Sequence, residues 1–80
     1  MSLTEIVARN LQAARAQRKL TQSALARKAK VSISYVSMLE RGERTPPLET
    51  LEVMAKALSV SPLALLQKKA GTPARGRGRR

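Results

Sequence analysis

The chain of 80 residues has no cysteine, histidine, tryptophan, phenylalanine or aspartate, and its one aromatic side chain is a tyrosine. Without cysteine there is no disulfide and no thiol nucleophile, and without histidine there is no imidazole base or metal ligand. A Ser-His-Asp triad is excluded for the same reason. The composition therefore predicts neither an enzyme nor a metal or cofactor site, and no small-molecule ligand is evident.

Long apolar runs are missing too. The first residues, MSLTEI, contain no basic region followed by an apolar stretch, and no segment approaches the roughly 20 apolar residues of a membrane-spanning helix. Eighty residues suffice for one small domain, which buries only about 60% of the surface of its unfolded chain. We expect a soluble domain without a membrane partner, cytoplasmic and associated with the nucleoid.

The charges are mostly of one sign. Sixteen Lys and Arg residues against five Glu give a net charge of +11, which favours nucleic acid or an anionic surface as the partner. Residues 1–66 hold ten basic and five acidic side chains, whereas residues 67–80 hold six basic side chains, three glycines and no acid. The sequence therefore predicts a folded domain over 1–66 and a disordered, basic Gly/Arg-rich tail over 67–80.

Apolar residues recur at helical spacing in five segments, and none alternates like a strand. A capping-box pattern at Ser2 and Glu5 opens a first helix over about 3–17. Shorter helices are predicted over 22–29 and 33–41, then a fourth whose apolar stripe runs from Leu48 to about residue 58, and a short fifth after Ser61 and Pro62. We therefore expect an all-α fold whose core is built from aliphatic and methionine side chains.

The second and third helices follow each other closely. Thr21 caps the second and Ser32 the third, Gly42 stops the third, and only Lys30 and Val31 lie between the two helices. So short a link forces a sharp turn, and the third helix presents its outer face to a partner. In so basic a chain this helix-turn-helix favours DNA.

Many positions between residues 6 and 66 agree with one family pattern. They are Gln22, Leu25-Ala26, Val31-Ser32, Tyr35, Ser37, Glu40-Arg41-Gly42, Pro46, Leu48-Glu49-Thr50-Leu51 and Ala55-Lys56-Ala57-Leu58. At these residues the chain resembles the Cro/C1-type helix-turn-helix family of phage repressors, restriction-modification controller proteins and small bacterial regulators. The resemblance implies a compact five-helix, lambda-repressor-like domain that binds double-stranded DNA.

The chain departs from the family pattern at its turns. Lys19, Lys30 and Ser59 stand where the family commonly has glycine at helix ends, and a left-handed backbone there costs a non-glycine residue about 1 to 2 kcal/mol. Pro47 stands where the family often has a capping serine. We expect Thr45 to cap the fourth helix instead, with Pro46 as the first helical residue.

If the third helix enters the major groove, its outward side chains meet the base edges. Helical spacing assigns base reading to Ile33, Ser34, Ser37 and Met38. Arginine with guanine and Asn or Gln with adenine discriminate best, and none of these types lies between Ser32 and Glu40. We therefore expect part of the sequence preference to come from DNA shape and from Arg41 or Arg44 near a groove edge. The alternative makes Ile33 and Met38 core residues and the serines ordinary surface.

Phosphate contacts are expected at the first turn of the second helix, where Gln22 and free backbone N–H groups meet solvent. The resemblance implies this role for Gln22 and Arg44. The other candidates, each with an ordinary solvated or packing role as the alternative, are Arg27, Lys28, Lys30 and Tyr35. Such contacts supply affinity and salt dependence rather than sequence reading.

The resemblance also pairs Arg15 on the first helix with Glu40 on the third, as a partly buried structural salt bridge. The last short helix carries more apolar side chains than its own packing needs. This excess predicts a two-fold homodimer through Val60, Leu63, Leu65 and Leu66. Two subunits would read the half-sites of a palindromic operator, about 34 Å apart.

The leading interpretation is a sequence-specific transcriptional regulator, a repressor or autoregulator. Two alternatives stay open: non-specific DNA or RNA binding driven by the tail, and an antitoxin-like autorepressor that binds a toxin partner. Deleting residues 70–80 separates the first two, because a regulator without its tail keeps operator selectivity. The chain offers no extra domain to hold a toxin, which disfavours the third interpretation.

Overall fold

Four α-helices and one short 3₁₀ helix make up residues 2–68, the part of the chain that the computed structural model describes. The α-helices are α1 (Leu3–Gln17), α2 (Gln22–Ala29), α3 (Ile33–Glu40) and α4 (Leu48–Ala57), and the 3₁₀ helix spans Pro62–Leu66. The all-α prediction is confirmed. The disordered basic tail was predicted over residues 67–80, and residues 69–80 of it lie outside the described residues.

The predicted fifth helix needs correction, because its five residues form a 3₁₀ helix instead of an α-helix. It begins after Ser61, whose Oγ accepts the Ala64 N–H at 3.2 Å while its carbonyl accepts the same N–H at 3.0 Å. Bonding between residues three apart is the 3₁₀ pattern, which suits a segment too short to gain from the four-residue spacing of an α-helix.

The helix starts follow local sequence except at α4. Ser2 Oγ accepts the Glu5 N–H at 3.2 Å and Glu5 Oε1 accepts the Ser2 N–H at 3.0 Å, which completes the predicted capping box. The cap predicted for α4 is wrong. Pro47 precedes the first helical residue without a side-chain cap, and the hydroxyl of Thr45 bonds that of Thr4 on α1 instead. Pro46 stays outside α4, because the helical region is disfavoured for a residue that precedes a proline.

Each α-helix ends next to a residue with left-handed backbone. The φ angles are 56° at Lys19, 60° at Lys30, 74° at Gly42 and 59° at Ser59. Only one of these four residues is a glycine, so three carry the steric cost of a Cβ in this conformation. The positions where the family pattern has glycine are therefore the ones that adopt the strained conformation here.

The helices close a ring around a single core. α1 packs against α3 and the 3₁₀ helix, α4 packs against the 3₁₀ helix and α2, and α2 packs against α3. The core between them is aliphatic, as predicted, with Leu11, Leu25, Leu39, Met54 and Leu58 fully buried. Among residues 2–68 no helix combines the length and apolar character needed to cross a bilayer.

One polar side chain inside this core went unnoticed in the sequence. Asn10 on α1 is buried, and its Nδ2 donates to the carbonyls of Leu65 at 2.8 Å and Gln67 at 2.7 Å. The Leu65 carbonyl lies at the end of the 3₁₀ helix and the Gln67 carbonyl just beyond it, where the helix itself supplies no N–H partner. Asn10 therefore holds the end of the 3₁₀ helix against α1.

The strain at Ser59 gives a stability prediction. Ser59→Gly should raise the free energy of unfolding by about 1 kcal/mol, because glycine adopts the left-handed conformation without a Cβ clash. Thermal denaturation should show a melting temperature higher by about 4 to 8 °C, the usual response of a domain this small. Ser59→Ala is the control, since it removes the hydroxyl and keeps the Cβ. A glycine variant no more stable than the alanine variant would contradict the interpretation.

Candidate nucleic-acid interface

Side-chain caps fix the turn between α2 and α3. Thr21 Oγ1 accepts the Ala24 N–H at 2.9 Å, and Ser32 Oγ accepts the Tyr35 N–H at 3.0 Å. At the turn itself the left-handed Lys30 lets the Val31 N–H donate to the Ala26 carbonyl at 3.0 Å. The Val31 side chain then packs against the core. The two helices are thus joined by three residues whose geometry is held at both ends.

The exposed face of α3 carries the side chains predicted to read bases. Val36 and Leu39 lie in the core, whereas Ile33 is 52% exposed and Ser34 is also exposed. The other two predicted readers, Ser37 and Met38, are half-buried. Tyr35 is half-buried as well, and its ring packs against the core.

A buried ion pair ties α3 to α1. Arg15 Nε donates to Glu40 Oε2 at 2.6 Å and Arg15 Nη2 donates to Glu40 Oε1 at 3.0 Å, while the Glu40 side chain is only 3% exposed. The hydrogen bond to this carboxylate raises the pKa of Arg15. The pairing that the resemblance implied is present in the structure.

Two glutamines join the same site. Gln22 Nε2 donates to Glu40 Oε1 at 3.0 Å, so the amide predicted to meet a phosphate has an internal partner as well. Gln12 Nε2 donates to the Glu40 carbonyl at 2.6 Å, and Arg15 Nη1 donates to the Leu20 carbonyl at 2.8 Å. The carboxylate of Glu40 thus links α1 and α2 to the end of α3, and its backbone carbonyl adds a second bond to α1. The role of Gln12 was not predicted, because an exposed glutamine on α1 gives no sign of its partner 28 residues further on.

Arg41 lies at the end of α3 in a second, exposed ion pair. Its Nε and Nη2 donate to the two carboxylate oxygens of Glu43 at 2.7 and 3.1 Å, and its Nη1 donates to Ser37 Oγ. The hydrogen bond from Arg41 lowers the pKa of the Glu43 carboxyl. Glu43 therefore stays ionised at neutral pH. It was not among the residues predicted for this interface.

The remaining predicted phosphate ligands are all exposed: Arg27, Lys28, Lys30 and Arg44. The structure does not gather them into one site. Lys28 and Lys30 line an open groove with Val53 and Lys56 of α4, at the carboxyl end of α2. Basic side chains at this end also compensate the helix dipole.

The predicted dimer residues separate into different environments. Leu65 is 1% exposed and belongs to the chain's own core, so its assignment to a dimer surface is wrong. Val60 and Leu66 are half-buried and pack against that core. Leu63 is 67% exposed. Because a 3₁₀ helix has three residues per turn, Leu63 and Leu65 point in different directions.

Two capped helices at a sharp turn, with the outer face of the second exposed, define a helix-turn-helix DNA-binding protein. The family model "Helix-turn-helix" matches residues 11–65, more than half of the chain. The chain belongs to the Cro/C1-type helix-turn-helix family of transcription regulators.

Similar curated proteins are regulators. Over 60 residues the chain is 43% identical to the immunity repressor protein of Bacillus phage phi105, covering 75% of this chain and 42% of the phage protein. It is 37% identical over 68 residues to control protein C.SmaI of Serratia marcescens, covering 85% of this chain and 81% of that protein. The chain therefore spans less than half of the phage repressor and most of the controller protein.

Solved structures share the fold. A hypothetical transcription factor from Neisseria is 29% identical with a TM-score of 0.85, covering 94% of this chain and 86% of that one. The restriction-modification controller protein C.Esp1396I, described in one case as a nucleoprotein complex, is 29% identical with a TM-score of 0.74. That comparison covers 81% of this chain and 84% of the controller.

The burial of Glu40 predicts a large effect of its removal. Glu40→Ala should lower the free energy of unfolding by about 3 to 5 kcal/mol, because it leaves the Arg15 guanidinium without its partner. Denaturant or thermal unfolding followed by circular dichroism measures this loss. The matched control is the double variant Arg15→Met with Glu40→Met, which replaces both charges by apolar side chains and should recover most of the stability. A Glu40→Ala protein that melts like the wild type but selects a different DNA sequence would contradict the structural role.

Proposed function

We propose that this chain is a sequence-specific transcriptional regulator that binds a palindromic operator as a homodimer, with α3 in the major groove. The observation that carries the proposal is the exposed outer face of α3 on a helix held by Glu40, Arg15 and Gln22. A rigid helix with an unburied outer face suits insertion into the groove, which is wide enough to admit one helix.

The N-terminus of α2 supports a phosphate contact beside the groove. The Thr21 side chain and carbonyl accept the N–H groups of Ala24 and Leu25, at 2.9 and 3.0 Å. The N–H groups of Gln22 and Ser23, which precede them in the first turn, are the ones left to meet a phosphate oxygen. Such a contact fixes the register of the protein on the duplex and carries no sequence information.

The 3₁₀ helix supports the dimer. Leu63 extends into solvent, flanked by half-buried Val60 and Leu66, so the outer side of this segment is an apolar surface. Asn10 holds this segment to α1, which makes its position definite. One recognition helix contacts few base pairs, and two related by a two-fold axis read half-sites about one helical turn apart.

The name of one relative favours negative control. One similar protein is an immunity repressor and another is a control protein of about the same length as this chain. We infer that this regulator also acts as a repressor or autoregulator.

Selection of bound sequences from random DNA, repeated at two salt concentrations with the full chain, tests the proposed function. We expect one two-fold symmetric motif at both concentrations. Affinity should fall steeply with salt, because each neutralised phosphate releases counterions.

The tail provides the control for this experiment. A chain without residues 70–80 should bind more weakly and select the same motif, because the recognising side chains lie on α3. If the full chain enriches no motif, and if the truncated chain loses nearly all binding, then non-specific binding through the tail is the correct function.

Leu63 provides a separate test of the dimer. Leu63→Asp should shift the sedimentation coefficient at micromolar concentration to that of a monomer and weaken operator binding at least about tenfold, since only one half-site is then held. The fold should survive, because Leu63 is 67% exposed.

The matched control is Leu48→Asp, which introduces the same charge at the start of α4, in place of a leucine that is 75% exposed. This variant should sediment like the wild type. A wild-type chain that sediments as a monomer at high micromolar concentration would disprove the dimer, as would equal effects of the two variants.

A further inference from the structure

We propose that Arg41 reads a guanine in the major groove and that Glu43 is the positioning residue that aims it. This inference rests on the proposed function and deepens it, because the residues from Ile33 to Leu39 contain no side chain that pairs strongly with one base. The reading group comes from the residue that follows α3, and it reaches back along the helix.

The position of the guanidinium is the first argument. Arg41 is the C-cap of α3 and follows Ser34 and Ser37 at helical spacing, so the three residues lie along one side of the helix, with Ser34 and Arg41 exposed and Ser37 half-buried. Helical side chains lean toward the N-terminus, and Arg41 Nη1 donates to Ser37 Oγ. The guanidinium therefore lies one turn back from its own Cα, beside the side chains on the outer face of α3.

The donors of Arg41 are the second argument. An arginine has five N–H groups. Two of them, on Nε and Nη2, are held by the Glu43 carboxylate, and one on Nη1 is held by Ser37. The two that remain are on Nη1 and Nη2, one each. A guanine offers two acceptors in the major groove, O6 and N7, which a guanidinium meets with two such donors.

The anchoring of Glu43 is the third argument. Gly42, with a φ of 74°, reverses the chain after α3, and the Glu43 N–H then donates to the Met38 carbonyl at 3.0 Å. The carboxylate that holds Arg41 is therefore attached to the end of the recognition helix itself. A left-handed residue at this point is what brings Glu43 back beside Arg41.

The charge of Glu43 explains how this arrangement favours one base over the backbone. A carboxylate beside Arg41 repels phosphates and cancels most of the attraction that a free arginine would have for them. In the free protein the exposed Arg41–Glu43 pair contributes little to folding stability. In a DNA groove that excludes water, the electrostatic attraction between the two side chains becomes stronger. Glu43 thus lowers affinity for any DNA and raises the advantage of a duplex with guanine at the right position.

The experiment compares full-length variants by selection from random DNA and by titration with the selected operator and with unrelated DNA. Glu43→Ala should retain its fold and bind unrelated DNA more tightly. It should also lose at least about tenfold of its preference for guanine over adenine at one position in each half-site. Arg41→Lys, which keeps the charge and replaces the planar pair of donors by a single ammonium group, should weaken the same preference.

The matched control is Glu52→Ala, which removes another exposed carboxylate, on α4. It should keep the guanine preference, so any gain in affinity that it shares with Glu43→Ala reports net charge alone. Melting temperatures of all variants confirm that each is folded.

The outcomes separate this inference from the proposed function. A wild-type motif with a guanine that both Glu43→Ala and Arg41→Lys leave unchanged would overturn the role of Arg41 and Glu43 and leave the operator-binding dimer intact. A wild-type motif without a guanine in the half-site overturns the inference in the same way. If the wild type enriches no motif, both fail.

Discussion

The carboxylate of Glu40 is the contact on which the placement of α3 depends. It accepts two hydrogen bonds from Arg15 on α1 and one from Gln22 on α2, while being almost fully buried. An isolated helix of eight residues is too short to be stable in water. The orientation of α3 is therefore imposed by its neighbours, and Glu40 joins all of them at the end of α3 from which Arg41 extends.

The turns of this small domain contain local backbone strain that fixes the directions of the helices. Three of its four α-helices end beside non-glycine residues in left-handed conformation, at Lys19, Lys30 and Ser59. At Lys30 the strained turn allows Val31 to pack against the core, and α3 begins two residues later. A positive side chain at the end of α2 also meets the negative end of the helix dipole, which offsets part of the strain. Packing of the helices in the ring offsets the remaining strain.

Local sequence predicted the elements better than it predicted their contacts. Caps such as Thr21 and Ser32 act within three residues, so their hydrogen bonds follow from the sequence, whereas Asn10 bonds carbonyls 55 and 57 residues away. The assignment of Leu65 to a dimer surface failed because the sequence of a five-residue segment does not show which of its sides faces the core. On α3 the burial of Val36 and Leu39 follows from spacing alone. The pairing of Arg41 with Glu43 does not, because it depends on the chain reversal at Gly42.

Affinity and selectivity for DNA place opposite demands on the charges of this chain. With a net charge of +11, the protein is attracted to any duplex, and each further free arginine would strengthen that attraction without favouring one sequence. Selectivity requires contacts that form with one base and not with the others. A flexible arginine that can bind any phosphate does not provide such a contact. Pairing Arg41 with Glu43 removes much of its general attraction and keeps its two outer donors. The small Ser34 and Ser37 side chains leave room beside α3 for such a group, so the scarcity of strong readers on the helix is consistent with a reader supplied from its end.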